Sequence, residues 1–206
     1  MPDKTVFVVD DDEGVRKALS FLLRTAGYTV DTFASAVDFL SQYDPARRGC
    51  VVLDVRMPRM TGLQMQQQLN SRGWRIPTIF ITGHGSIPIA IDALRAGAFE
   101  FLEKPLREDH LLESVERAFE QDEAVRRRSA ALEEIANRIN SLTPRQHEIM
   151  RLVVDGEPNK AIAQRLDISF RTVEIHRARV MEKMQARSLS DLVRMVITLE
   201  SAAKPN

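Results

Sequence analysis

The sequence predicts an α/β domain built on a doubly wound parallel sheet, followed by a smaller all-α domain. Three observations carry this. The apolar runs Val6-Phe7-Val8-Val9, Cys50-Val51-Val52-Leu53, Thr78-Ile79-Phe80-Ile81 and Phe99 to Glu103 are short and each stops at polar residues, as strands buried on both faces do. Helical patterns around 13–25, 35–42, 61–71, 86–96 and 107–120 alternate with strands. The alternation implies five strands with five helices, four of the strands standing out as runs, in a (βα)5 sheet of flavodoxin-like order. From residue 142 onward the punctuation is that of helices alone.

The length of 206 residues suits two compact domains, read as 1–120 and 141–206 with a helical linker over 121–140. No apolar stretch approaches bilayer-spanning length and the amino terminus has no signal-peptide pattern, so a cytoplasmic protein without membrane association is expected. The one cysteine, Cys50, rules out an internal disulfide, and on a buried strand it reads as inert packing. Residues 1–120 carry 14 Lys and Arg against 17 Asp and Glu, net −3, whereas 141–206 carry 11 against 8, net +3. That asymmetry permits a nucleic-acid partner for the second half without establishing one.

In chain order, the first run ends at Asp10, Asp11 and Asp12, and the second at Asp54. Strands of one parallel sheet end on one edge, where ligands sit, so these acids are expected to meet there. Clustered carboxylates raise one another's pKa unless a cation joins them, and a hard ion with oxygen ligands, Mg²⁺, is the natural choice. The third run enters Thr82 and the last enters Lys104-Pro105. An acid pair, a lone acid, a hydroxyl and an ammonium on successive strand ends suit phosphoryl transfer onto Asp54 as nucleophile, with Mg²⁺, Lys104 and Thr82 each meeting one equatorial oxygen. Taken singly, Thr82 is a strand-end cap and Lys104 a snorkelling surface lysine. Gly27, Gly73 and Gly97 follow helical patterns as C-terminal caps. Pro58 fixes the loop after Asp54, and Gly62 there reads either as a close backbone approach or as ordinary turn chemistry.

These residues resemble the receiver domain of bacterial response regulators: the pair Asp10 and Asp11, Asp54 in LDVRMPRMTG, Thr82 in FITGHG, Phe101, and Lys104-Pro105. The resemblance implies Asp54 as phosphoacceptor from a sensor histidine kinase. It implies Mg²⁺ held by Asp10, Asp11, Asp54 and the backbone carbonyl of Arg56, and Thr82, Phe101 and Lys104 as phosphoryl-stabilising and switch residues. Arg56 and His84 border the path of the water that would remove the phosphoryl group. A phosphatase of the haloacid-dehalogenase type would need a second acid where Arg56 stands, so the chain is read as no enzyme beyond its own phosphorylation and dephosphorylation.

Residues 121–140 are highly charged and free of Gly and Pro, with Leu132, Ile135, Ile139 and Leu142 forming an amphipathic seam. A helix packing this seam on its own second domain is favoured over a short coiled coil. Thr143, Pro144 and Gln146 form a capping box, Gly156 ends that helix, another runs from about Asn159 to Leu166, and Ser169 caps a third. Two short helices joined by a tight turn describe a helix-turn-helix.

LTPRQHEIM, Gly156, NKAIAQRLDIS and RTVEIHRARVMEKM with Leu189 and Leu192 resemble the four-helix DNA-binding domain of the LuxR/FixJ/NarL type, and the whole chain a FixJ-like response regulator. Arg171, Thr172, Glu174, Ile175 and Ala178 then lie in the first turns of the recognition helix, with Val173, Val180 and Met184 facing the core. Arg171 is a candidate for guanine, Ile175 for a thymine methyl and Glu174 for a cytosine amino group. Lys160, Thr172, Arg177 and Arg179 are candidates for phosphates, with an Arg177–Glu174 pair as the structural alternative. His176 reads as a satisfied, partly buried histidine. Many relatives carry lysine at the position of Glu174, which implies a distinct target. The implied partners are the kinase, promoter DNA, RNA polymerase and a second copy of the chain upon phosphorylation. A receiver that merely titrates phosphate or binds a partner, joined to helices that do not read DNA, is the alternative.

Overall fold

The computed structural model describes residues 4–83, 91 and 93–203 and divides into two compact units, Met1–Val125 and Arg126–Asn206. The first holds strands β1 (Thr5–Val9), β2 (Thr29–Phe33), β3 (Gly49–Asp54), β4 (Thr78–Thr82) and β5 (Glu100–Glu103), all parallel in the order β2-β1-β3-β4-β5. Helices α1 (Glu13–Thr25), α2 (Ala36–Gln42) and α3 (Gly62–Ser71) stand where the sequence places them within a residue. Residues 91 and 93–95 are helical and are labelled α4; the rest of the expected helix before 93, and His84, lie outside the described residues.

Every residue of β1, β3 and β4 is buried, which explains their unbroken apolar sequences. Alternate side chains feed two cores. Phe7, Val9, Val51, Leu53 and Phe80 pack with α2 and α3, and Val6, Val8, Cys50, Val52, Ile79 and Ile81 pack with α1 and α5. Cys50 is fully buried, and burial pushes its thiol pKa up, so it packs and does not react.

Helix α5 runs unbroken from Glu108 to Asn140, where the sequence suggested a helix ending near 120 and a separate linker. The chain offers no Gly or Pro to stop it before Pro144, and hydrogen bonds continue to Ser141, whose N–H donates to Asn137 O at 3.1 Å. Its first part buries Leu111, Val115, Ala118 and Phe119 in the first unit. In the second unit Ile135 and Ile139 pack against the helical core that includes Leu142, as the favoured reading of the seam expects.

The second unit continues with α6 (Pro144–Val154), α7 (Asn159–Leu166), α8 (Phe170–Met184) and α9 (Leu189–Ala203) around Ile149, Ile162, Val173, Val180, Met184 and Leu192. The capping box forms: Thr143 Oγ1 accepts from Gln146 N at 3.3 Å and Gln146 Oε1 accepts from Thr143 N at 3.0 Å. Ser169 Oγ caps α8 by accepting from Thr172 N at 3.0 Å, and three residues separate α7 from α8. Among the described residues no helix is long and apolar enough to cross a membrane.

Candidate functional site

The register that pairs Val9 with Leu53 and Asp54 with Ile81 delivers Asp10, Asp54 and Thr82 to one edge of the sheet. Lys104, one residue beyond β5, reaches back across it. Its Nζ lies 3.0 Å from Asp10 Oδ2 and 3.0 Å from Asp54 Oδ1, bridging side chains that are 2% and 9% exposed. Asp10 is fixed further: its Oδ1 accepts from Asp12 N at 2.9 Å, and its carbonyl accepts from Arg16 at 2.7 Å. Asp54 Oδ2 accepts from Arg56 N at 2.7 Å. Burial raises the Asp54 carboxyl pKa; Lys104 and the Arg56 N–H oppose that and the charge of Asp10 adds to it, leaving the value above the ordinary one. For Lys104, burial favours loss of the proton, but the bonds to Asp54 and Asp10 outweigh it and hold the ammonium.

The three-acid cluster expected from the sequence is a pair here. Asp11 is exposed, and Asp12 turns away to cap α1, accepting from Val15 N at 3.0 Å, which lowers its pKa. Among the described residues no three His, Cys, Asp or Glu side chains gather as a metal-holding group. The chemistry of the donors nevertheless fits a hard cation. All are oxygens, and two carboxylates face one ammonium, leaving a net negative charge in a half-buried place.

The loop beyond Asp54 returns tightly. Gly62 N donates to Val55 O at 3.0 Å, and a Cβ on Gly62 would stand 2.4 Å from Asp54 O and 3.0 Å from the Phe80 ring. Of the two readings of Gly62, the close backbone approach is the one present. Thr61 begins α3 with a capping box to Gln64 that sequence reading passed over, although the T-x-x-Q spacing was there. Thr82 is 1% exposed, its carbonyl accepting from Lys104 N at 2.7 Å. Phe101 pairs in register with Phe80 and is partly buried against the core on the α3 face. The Arg56 side chain is exposed beside this edge.

In the second unit α8 presents Arg171, Ile175, Ala178 and Arg179 to solvent, with Thr172, Glu174 and Arg177 half-buried. Val173, Val180 and Met184 are buried on the opposite side as expected. Glu174 pairs with Arg171 at 3.4 Å, and Arg177 donates instead to Asn159 Oδ1, tying α8 to the start of α7; the anticipated Arg177–Glu174 pair is not the one formed. The Thr172 hydroxyl is 2.8 Å from Ser169 Oγ, within the cap. Lys160 is exposed at the start of α7. His176 is not the satisfied histidine expected: its buried Nδ1 has no hydrogen-bond partner. Sequence reading also passed over Phe170, half exposed at the first position of α8.

Residues 6–116 match the family model of the response regulator receiver domain, and residues 140–196 that of the bacterial regulatory proteins of the luxR family. The chain is 45% identical over 197 residues to the transcriptional regulatory protein FixJ of Rhizobium meliloti, covering 96% of this chain and 97% of that one. It is 41% identical to the response regulator protein TodT of Pseudomonas putida strain F1, covering 96% and 87%. Among solved structures, that of the response regulator StyR superposes with a TM-score of 0.87 at 42% identity, over 95% of this chain and 98% of that one.

Proposed function

Because the chain belongs to the response regulators that join a receiver domain to a LuxR-type DNA-binding domain, and is a phosphorylation-dependent transcription regulator, we propose that Asp54 is its phosphoacceptor. The observation that carries this is the Lys104 bridge, which fixes Asp54 at a sheet edge beside a second acid with an ammonium in place. An Asp54 oxygen attacks the phosphorus of a phosphohistidine on a sensor kinase. The P–O bond forms as the P–N bond breaks, and the leaving nitrogen keeps the electron pair and takes a proton from solvent. Lys104 moves from carboxylates to phosphoryl oxygens, and the Arg56 N–H stays to orient the acceptor. Asp10, Asp54 and the Arg56 carbonyl would hold Mg²⁺, with Asp11, exposed at the same strand end, turning in to complete the set; the ion when bound would neutralise charge on the transferring group.

Thr82 then turns toward the phosphoryl group and Phe101 inward, changing the surface made by α4 and β5. That surface pairs two copies, so that two α8 helices engage two half-sites of promoter DNA, where RNA polymerase is recruited, in the cytoplasm. Lys160 and Arg179 serve phosphates. Arg171, Ile175 and Ala178 face base edges, with Glu174 at their margin engaging Arg171, while Thr172 and Arg177 hold α8 in place as much as they contact DNA.

Exposure of the protein and of Asp54→Asn to a small phosphoryl donor, with and without Mg²⁺, tests the reading by intact mass and light scattering. A Mg²⁺-dependent gain of one phosphoryl group and dimerisation, both absent from the variant, is expected. Phosphorylation of the variant, or of neither protein, overturns it.

A further inference from the structure

Phe170 is the first residue of α8 and is half exposed. One half-exposed ring is ordinary by itself, but neither the core nor the helix needs this one there: the cap is made by Ser169, and Val173 begins the buried face. At 100° per residue Arg171, Ile175 and Ala178 form the outward stripe of α8, while Phe170, Glu174 and Arg177 fall on the flank toward α7. There an open hollow of about 570 Å³ is lined by Pro158, Asn159, Lys160, Phe170, Glu174 and Arg177.

In a helix-turn-helix the second helix enters the major groove while the first meets the backbone, so this flank faces the sugar-phosphate strand at the groove's lip. The lining fits that ligand. Lys160 is exposed, with no ion-pair partner among the described residues. Arg177 uses one nitrogen on Asn159 and keeps further N–H donors. Glu174 also borders the hollow, but its carboxylate is engaged by Arg171 at 3.4 Å. Two cations and an aromatic ring lining one hollow suit a deoxyribose and the phosphates on either side of it. Resting on the DNA-binding reading above, we infer that Phe170 packs on a backbone deoxyribose between phosphates met by Lys160 and Arg177, a positioning residue that sets the depth of α8 in the groove without reading a base.

The test uses the full-length phosphorylated protein with two duplexes, one of random sequence at low salt and one enriched by selection with the wild type. Phe170→Ala should weaken binding to both by a similar factor, about 5- to 20-fold. The salt slope should be unchanged because no charge is lost, whereas Lys160→Ala lowers it by about one. Phe170→Leu should recover part of the loss, and circular dichroism melts should show all variants folded. Unchanged affinity in Phe170→Ala overturns the contact. A loss confined to the selected duplex with relaxed preference at one base overturns it in favour of base reading. If the wild type binds neither duplex, the DNA-binding reading itself fails and takes this one with it.

Discussion

The Lys104 ammonium is the residue on which the acid pair at the sheet edge depends, because it is the bridging cation on two carboxylates that are 2% and 9% exposed. Lys104→Ala should lower stability at neutral pH by about 2 kcal/mol, discounted for its own partial exposure. Millimolar Mg²⁺ should restore much of that in urea melts; no recovery would mean these acids do not hold the ion. The folded pKa of Lys104 is raised, so its contribution is present below the ordinary value of 10.5 and is lost as pH rises through the folded one. Asp54 works in the opposite sense. Its folded pKa is raised mainly by burial, so ionising it costs stability as pH climbs from 3.8 through the folded value. Asp54→Asn should therefore be more stable than the wild type at neutral pH, an advantage that disappears below about pH 3.8 in thermal melts. Gly62 is the third such position. With 2.4 Å between its would-be Cβ and Asp54 O, Gly62→Ala should cost about 2 kcal/mol and slow phosphorylation, both measurable on one preparation.

At the scale of elements, Gln185 ends α8 in a left-handed conformation, φ 53°, that glycine adopts without a Cβ penalty. Gln185→Gly should raise the stability of the helical unit by about 1 kcal/mol in thermal unfolding, provided DNA affinity is unchanged. What the sequence revealed of each element tracks its burial and its punctuation. Strands β1, β3 and β4 were legible because burial on both faces demands an uninterrupted apolar run. Thr29–Phe33 was not, because an edge strand with one buried and four partly or fully exposed residues carries no such run. The carboxyl edge followed from topology alone, since parallel strands share their ends. The departure of Asp11 and Asp12 from the cluster did not, because capping of α1 by Asp12 is decided by the φ and ψ at the strand's exit. The unbroken α5 was hidden by a change of packing partner, from the first core around Phe119 to the second around Ile135, with no helix breaker to mark it.

For the whole molecule, the question is how a phosphoryl group on one unit changes DNA binding by the other, and the proposed dimerisation would answer it by mass action alone. On that proposal one α8 helix would read a half-site weakly, and pairing would make the second contact effectively intramolecular, so affinity would rise with no new protein–DNA contact. The proposed switch would then expose or complete a surface on the first unit. Ile91 and Leu94 on α4 are large apolar side chains left 42% and 54% exposed. Single exposed apolar residues are ordinary, but these lie on the helix that leads in the chain to the strand carrying Phe101 and ending before Lys104, the residues expected to respond to Asp54. Leu94→Arg places a charge where two copies would meet, a desolvation and repulsion penalty charged once from each protomer. The variant should accept one phosphoryl group at the wild-type rate by intact mass, remain monomeric by light scattering, and bind duplex DNA no better than the unphosphorylated protein. Dimerisation of phosphorylated Leu94→Arg at wild-type concentrations would remove α4 from the interface. Loss of phosphorylation together with dimerisation would show instead that α4 shapes the Asp54 site, so the two readouts separate a surface effect from a chemical one.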